Sequence, residues 1–305
     1  MRKLVIIILL TFSYFKLFSQ PPQLLPSYTI NNITLPADLD KQVCISGITF
    51  FNGRLCLVSE RCPMIFVLNS ETGNVDSIVR LNVSQEFEME GITFYKNKLY
   101  LVSENIPAVY EVNDHTAEVK SITLSIPMPP KSKEGDGMEG IAANESNNKF
   151  YLLRERNEDQ SKAQIYTFNA VNGPDADPPS LKFESILELP LESRDWRYSD
   201  ICFDSANSRL ICLKSYSKGK LRQLFIETIS IDSNGSLSPD IQKNINVEKL
   251  SESAGTFKSQ GYSTNLEGIT VDHAGNIFLV SDNHSGKAVC DLLAKEKTIL
   301  LRLSK

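Results

Sequence analysis

One short motif recurs five times along the chain, and it restricts the fold more than any other feature. The first copy reads Ile45-Ser46-Gly47-Ile48-Thr49-Phe50, then, after a turn, Arg54-Leu55-Cys56-Leu57-Val58-Ser59-Glu60. The second is Met89-Glu90-Gly91-Ile92-Thr93-Phe94 with Lys98-Leu99-Tyr100-Leu101-Val102-Ser103-Glu104. The third is Met138-Glu139-Gly140-Ile141-Ala142 with Lys149-Phe150-Tyr151-Leu152-Leu153-Arg154-Glu155. The fourth is Tyr198-Ser199-Asp200-Ile201-Cys202-Phe203 with Arg209-Leu210-Ile211-Cys212-Leu213-Lys214-Ser215. The fifth is Leu266-Glu267-Gly268-Ile269-Thr270-Val271 with Asn276-Ile277-Phe278-Leu279-Val280-Ser281-Asp282. Spacings between copies are 44, 49, 60 and 68 residues, so the unit is constant and the insertions vary.

The halves of each copy are rich in β-branched and aromatic residues, and turn residues such as Asn52-Gly53, Lys96-Asn97 and Ala274-Gly275 separate them, which is the pattern of a hairpin. A third strand follows, as at 108–112 and 164–168, and then a fourth, as at 119–126 and 181–189. Four strands per unit around a ring define a β-propeller, so the expected fold is all-β with five four-stranded blades. The last unit supplies three strands, at 267–272, 276–282 and 298–303. Residues 27–35 from the other end are expected to complete it, which leaves no open edge. A six-bladed ring is the alternative if 215–265 hides a degenerate unit. Residues 285–297 are expected to form one short helix.

Ahead of the first copy, Arg2 and Lys3 precede an apolar run from Leu4 to Phe15. That run is short of the roughly 20 residues that span a bilayer. Residues 1–20 therefore read as a secretory signal peptide, with a short membrane anchor as the alternative, and 21–305 as one propeller domain. The expectation is an exported protein, secreted, periplasmic or at the cell surface, with no transmembrane segment after cleavage. The 305 residues carry 32 Lys+Arg against 37 Asp+Glu, a net charge of −5. Losing Arg2, Lys3 and Lys16 with the leader takes this to −8. Such an acidic balance argues against nucleic acid as a partner, and three His argue against a His-rich metal centre. A monomer is expected.

In a propeller the first strand of every blade lines the channel, so equivalent positions form rings. The residue before the motif glycine is Glu90, Glu139 and Glu267 in three copies and Ser46 and Ser199 in two, with Asp200 in the glycine place of the fourth. The second strand runs antiparallel, so its end adds Glu60, Glu104, Glu155 and Asp282 at the same mouth. Carboxylates crowded near one axis need a cation, a proton or arginine partners. Oxygen ligands suit calcium, for which Glu90, Glu139, Asp200 and Glu267 are the candidate ligands. The competing expectation is that these residues only cap backbone N–H groups of neighbouring blades.

Mouth cations are expected from Arg61, Arg154, Arg156, Arg194, Arg197 and Lys214. Arg154 and Arg156 are the candidate residues for orienting an anionic group, and ion pairing with the acids is the competing role. His284 is a candidate proton relay. Asp136, three residues before Glu139, either joins the metal shell or makes a turn. No Gly-x-Ser-x-Gly elbow, P-loop or HExxH motif occurs. Of six Cys, Cys44 and Cys62 are the expected disulfide, because counting outward from Asn52-Gly53 puts Cys44 opposite Arg61. Cys56 and Cys212 read as core thiols, and Cys290 has no evident partner.

The recurring unit, Glu90-Gly91-Ile92 with Ser103-Glu104-Asn105, Glu139-Gly140-Ile141 with Arg154-Glu155-Arg156, and Glu267-Gly268-Ile269 with Ser281-Asp282-Asn283, resembles the bacterial family called esterase-like activity of phytase (phytase-like). It is also similar to the propellers called SdiA-regulated proteins, and more distantly to calcium-dependent lactonases and paraoxonases. The resemblance implies a secreted or periplasmic propeller, calcium-dependent, hydrolysing phosphoesters or other anionic esters. Ser46-Gly47 and Ser199-Asp200 depart from the Glu-Gly pattern and leave the ring incomplete. The function expected is thus a metal-dependent esterase or phosphoesterase. The alternative is a non-catalytic propeller that binds a glycan, peptide or protein.

Overall fold

The computed structural model describes residues 29–33, 35, 39, 41–113, 116–131, 136–171, 179–218, 221–246, 257–283, 290 and 292–304. The described chain starts at strand β1 (Thr29–Ile33). Blade one is β2 (Ile45–Phe51), β3 (Arg54–Ser59), β4 (Met64–Asn69) and β5 (Val75–Arg80). Blade two is β6 (Met89–Tyr95), β7 (Lys98–Ser103), β8 (Val109–Asn113) and β9 (Glu118–Ser121). Blade three is β10 (Met138–Asn144), β11 (Lys149–Arg154), β12 (Lys162–Val171) and β13 (Ser180–Pro190). Blade four is β14 (Trp196–Asp204), β15 (Arg209–Lys218), β16 (Leu221–Ile231) and β17 (Leu237–Asn246). Blade five is β18 (Asn265–Val271), β19 (Ile277–Asp282) and β20 (Leu300–Ser304), completed by β1.

Every sheet is an antiparallel meander, and β1 pairs with β20 from Thr29↔Ser304 to Ile33↔Leu300. The ring is thus closed by pairing the first described strand with the last, as the sequence predicts. The stretch 215–265 holds no sixth blade among its described residues, because the long β15, β16 and β17 of blade four use it.

The core is five apolar layers, one between each pair of neighbouring blades. Strand alternation explains them. In β3, Leu55 and Leu57 pack with Phe278 and Val280 of blade five, whereas Cys56 and Val58 pack with Ile92 and Leu101 of blade two. In β11, Phe150 and Leu152 face blade two, and Tyr151 and Leu153 face blade four. Both faces of each inner strand are covered, so these strands read as unbroken apolar runs. Near the axis the inner strands converge. A Cβ on Gly91 would stand 2.8 Å from the Gly140 Cα and from the Ile141 N, which leaves room only for hydrogen.

Four expectations need correction. The disulfide joins Cys62 to Cys290, with a Cα–Cα distance of 5.7 Å, and not to Cys44. A bulge in β2 sets Ile45 opposite Ser59, so Cys44 falls one place short of the unbroken register, and the Cys62 loop turns toward blade five. The Cys44 thiol bonds the Gln42 carbonyl at 3.5 Å. The fourth strand of blade two stops at Ser121, short of the expected 126. Beyond it the chain crosses to blade three, where Leu124 forms a parallel bridge with Leu181. No helix forms in 292–297, where Leu293 bridges Lys41 and Lys297 bridges Tyr262, while 285–289 and 291 lie outside the described residues. Strand limits at the ring closure move to Leu300–Ser304 and Thr29–Ile33. The leader at 1–20 also lies outside the described residues, and among those described no helix is long and apolar enough to cross a membrane.

Candidate functional site

The same irregularity occurs at the motif in all five blades. The register of the inner strand slips between Ile45 and Gly47, Met89 and Ile92, Met138 and Gly140, Tyr198 and Asp200, and Leu266 and Gly268. The slipped positions hold Ser46, Glu90, Glu139, Ser199 and Glu267. A bulge re-aims the side chain of its extra residue. Here three of the five bulged side chains are carboxylates that face the channel mouth.

Those carboxylates and the ends of the second strands enclose a basin of about 290 Å³. Glu60, Glu90, Glu104, Glu139, Glu155, Glu267, Asp282 and Asp136 line it, and so do Arg61, Lys131, Arg156 and Arg197. The geometric expectation that two acidic rings share one mouth is therefore met by seven of the predicted acids, and Arg156 joins them. Eight carboxylates face four cations.

The outer acids are paired. Arg61 bridges Glu60, at 2.6 Å, and Glu88. Lys131 bonds Glu104 and stands 3.7 Å from Glu88. Arg197 spans the mouth, reaching Glu155 at 3.1 Å, Glu267 through its other nitrogen, and the Ser215 hydroxyl at 3.2 Å. Arg156 pairs with Asp136 and lies 3.6 Å from Glu155. The inner acids differ. Glu90 accepts one hydrogen bond, from the Ser46 hydroxyl at 2.5 Å. Glu139 makes no hydrogen bond or ion pair among the described residues.

Electrostatics follow from this layout. Burial, then the charges of Glu60 and Glu104, push the Glu90 carboxyl well above the usual carboxylate range. Burial, then Glu90 and Glu155, do the same to Glu139, against a weaker pull from Arg197. Burial raises Glu60 despite Arg61. Burial outweighs Arg197 and lifts Glu155 to about 8. Arg197 is held charged chiefly by Glu267.

Four predicted residues do not join the basin, and one of them, Arg194, lines a neighbouring cavity instead. Asp200 is fully enclosed, and its carboxylate accepts the backbone N–H of Ile201 at 2.8 Å and of Ile269 at 2.9 Å. It thereby ties blade four to blade five, which is the capping role weighed against metal binding. Arg154 sits where other blades place a serine. Ser59 and Ser103 donate to the Val43 and Phe87 carbonyls, and the Arg154 Nε donates to the equivalent Asp136 carbonyl at 3.1 Å. Its guanidinium then runs outward to Glu158 at 2.8 Å, so it does not face an anion in the mouth. Lys214 fills the same place in blade four and pairs with Glu192 at 2.9 Å. His284 lies outside the described residues. Sequence reasoning missed Lys131 and Glu88. Glu88 precedes the second motif as Cys44 precedes the first, and both have a left-handed backbone, with φ of 45° and 50°. Lys131 comes from a loop with no repeat counterpart.

Among the described residues lining the basin, the anionic side chains around Glu90 and Glu139 are all carboxylates, which fits a hard divalent cation. Among the described residues no three carboxylates already stand at ligand spacing, since the outer acids turn to arginine and lysine. A cation here would be held first by Glu90 and Glu139, with Glu60, Glu104 and Glu267 within the same basin.

The fold and this mouth define a five-bladed propeller with an acidic, ion-paired basin at one end of its channel. A family model described as Phytase-like, esterase-like activity of phytase, matches residues 80–284, and the chain belongs to that family. Among solved structures the chain is similar to a glutaminyl cyclase from Myxococcus xanthus, at 13% identity and TM-score 0.49, covering 92% of this chain and 99% of that one. It is similar to a gluconolactonase from Xanthomonas campestris, at 10% identity and TM-score 0.47, covering 92% and 91%. It is also similar to a streptogramin B lyase, at 12% identity and TM-score 0.43, covering 91% and 98%. A search of curated proteins returned no match.

Proposed function

We propose that the chain is an exported, calcium-dependent hydrolase of phosphoesters or other anionic esters, working at the acidic basin. The observation that carries this reading is the inner pair, Glu90 and Glu139. Two bulges aim these carboxylates into the mouth, burial raises both, and among the described residues neither has a cationic side chain bonded to it. Such a pair is costly unless a proton or a metal compensates it. A bound calcium would supply Lewis-acid polarisation of an ester oxygen. Glu90 and Glu139 would hold the ion, and Ser46 orients Glu90. Arg156 and Arg197 place guanidinium groups at the rim, where an anionic substituent is attracted and turned. Glu155, whose carboxyl burial lifts to about 8 against the pull of Arg197, stands between these two guanidinium groups.

The complete ion pairing of the outer acids Glu60, Glu104, Glu155 and Glu267 favours a second reading, a non-catalytic rim that binds a glycan, peptide or protein. One assay separates the two. Hydrolysis of p-nitrophenyl phosphate and p-nitrophenyl acetate is followed with calcium and with EDTA, in the parent and in Glu139→Gln. Turnover that requires calcium and falls at least tenfold in the variant, about 1.4 kcal/mol or more, supports the hydrolase. No turnover, or turnover unchanged by EDTA and by the substitution, supports the binding rim.

A further inference from the structure

A second cavity opens beside the acidic basin, on the side of blades three and four. It measures about 370 Å³ and is lined by Arg156, Gln160, Arg194, Asp195, Arg197 and Ser217. Arg156 and Arg197 belong to both cavities, so the two are joined by a wall of guanidinium groups.

The sequence builds this cavity from length that blades one and two lack. β15 runs on to Lys218, four residues past the position where β3 and β7 stop in register. At about 3.3 Å per residue that extension rises roughly 13 Å above the mouth. β14 likewise begins at Trp196, ahead of its motif, and carries Arg197 over the channel. The loop between β13 and β14 is tied down on both sides. The Arg156 guanidinium donates to the Arg194 carbonyl at 2.8 Å, and the Ser217 N–H donates to the Asp195 carbonyl at 2.9 Å. Arg194 is therefore presented from an anchored loop.

The charges facing this cavity are unequally committed. Arg197 gives its donors to Glu155, Glu267, Asn265 and Ser215. Arg156 gives its Nε to Asp136. Asp195 stands 3.4 Å from Lys218. Arg194 alone among the three arginines makes no ion pair with the described residues, and it is an exposed residue that lines this cavity. A planar fork of five donors beside two further guanidinium groups matches the geometry of an oxyanion.

We propose that Arg156, Arg194 and Arg197 form an oxyanion subsite, a seat for a phosphate or carboxylate group of the ligand, with Arg194 as its specificity-determining contact. For its bearing on turnover the subsite rests on the hydrolase reading; as a binding site it stands on its own geometry.

The test measures inorganic phosphate and acetate separately by calorimetry, in calcium-free buffer, on the parent, Arg194→Ala and Arg194→Lys. Arg194 is exposed on a loop, so both variants keep the parent's melting temperature. Phosphate affinity is expected to fall at least tenfold in Arg194→Ala and to be partly kept in Arg194→Lys, which retains charge without the fork. A phosphate-only response assigns the seat to phosphoryl groups, and a matching acetate response extends it to carboxylates. With the two p-nitrophenyl esters, Arg194→Ala is expected to raise KM for the phosphate ester, leave KM for the acetate ester unchanged and keep kcat. Binding of neither anion by the parent at millimolar concentration, or equal binding by parent and Arg194→Ala, overturns the subsite. Anion binding that depends on Arg194 with neither ester hydrolysed keeps the subsite and removes the hydrolase. Calcium-dependent hydrolysis indifferent to Arg194 does the reverse.

Discussion

Whether a carboxylate faces the channel depends here on a single position. Glu139 occupies a bulge and looks into the mouth, while Asp200 stands in the glycine place and bonds two backbone N–H groups. The sequence distinguishes these positions by type, Glu before Gly against Asp in place of Gly. It does not show that a bulge separates their directions. Two expectations follow at this scale. Asp200→Ala leaves the buried N–H groups of Ile201 and Ile269 unpaired, and should destabilise the fold by about 2–4 kcal/mol in urea melts. Glu139→Gln should act in the opposite sense. A carboxyl raised in the folded state above its ordinary 4.5 holds stability while protonated and loses it as pH rises through the folded value. In EDTA, the variant should melt about 2–4 °C above the parent at pH 8 and close to it at pH 4.5. A variant that melts lower at both pH values would remove the repulsion argument.

At the scale of strands, the recurring apolar motif and its hairpin turns were enough to place most strands, because inner strands buried on both faces leave an apolar run bounded by turn residues. The bulges were not legible, since an inserted residue changes register without changing composition. That one omission misassigned the disulfide. Arg154 aligns with Ser59 and Ser103 in the motif, but alignment does not show that its side chain turns away from the mouth. The motif glycine has a packing cause that can be tested. Gly91→Ala would drive a Cβ against the Gly140 backbone and should cost about 1–3 kcal/mol, whereas a variant as stable as the parent would mean the inner strands can separate. The Cys62–Cys290 bridge links blade one to the segment between β19 and β20, across 228 residues. Cys290→Ser should lower stability by about 2–5 kcal/mol, and Cys44→Ser should leave a bridge detectable by thiol counting.

For the molecule as a whole, five repeats and a strand borrowed from the other end were readable from spacing, since a ring leaves a predictable deficit in its last blade. The arginine-lined cavity was not, because it arises from strand extensions that no repeat shares. Closing the ring is what collects acids from residues 60 to 282 into one basin, and the account stands on that basin attracting a cation. Calorimetric titration of calcium into the parent and into the double variant Glu90→Gln/Glu139→Gln at pH 7.5 tests it most directly. The account predicts saturable binding by the parent, weakened at least tenfold in the double variant. Absence of binding up to millimolar calcium, or equal binding by both proteins, would contradict it.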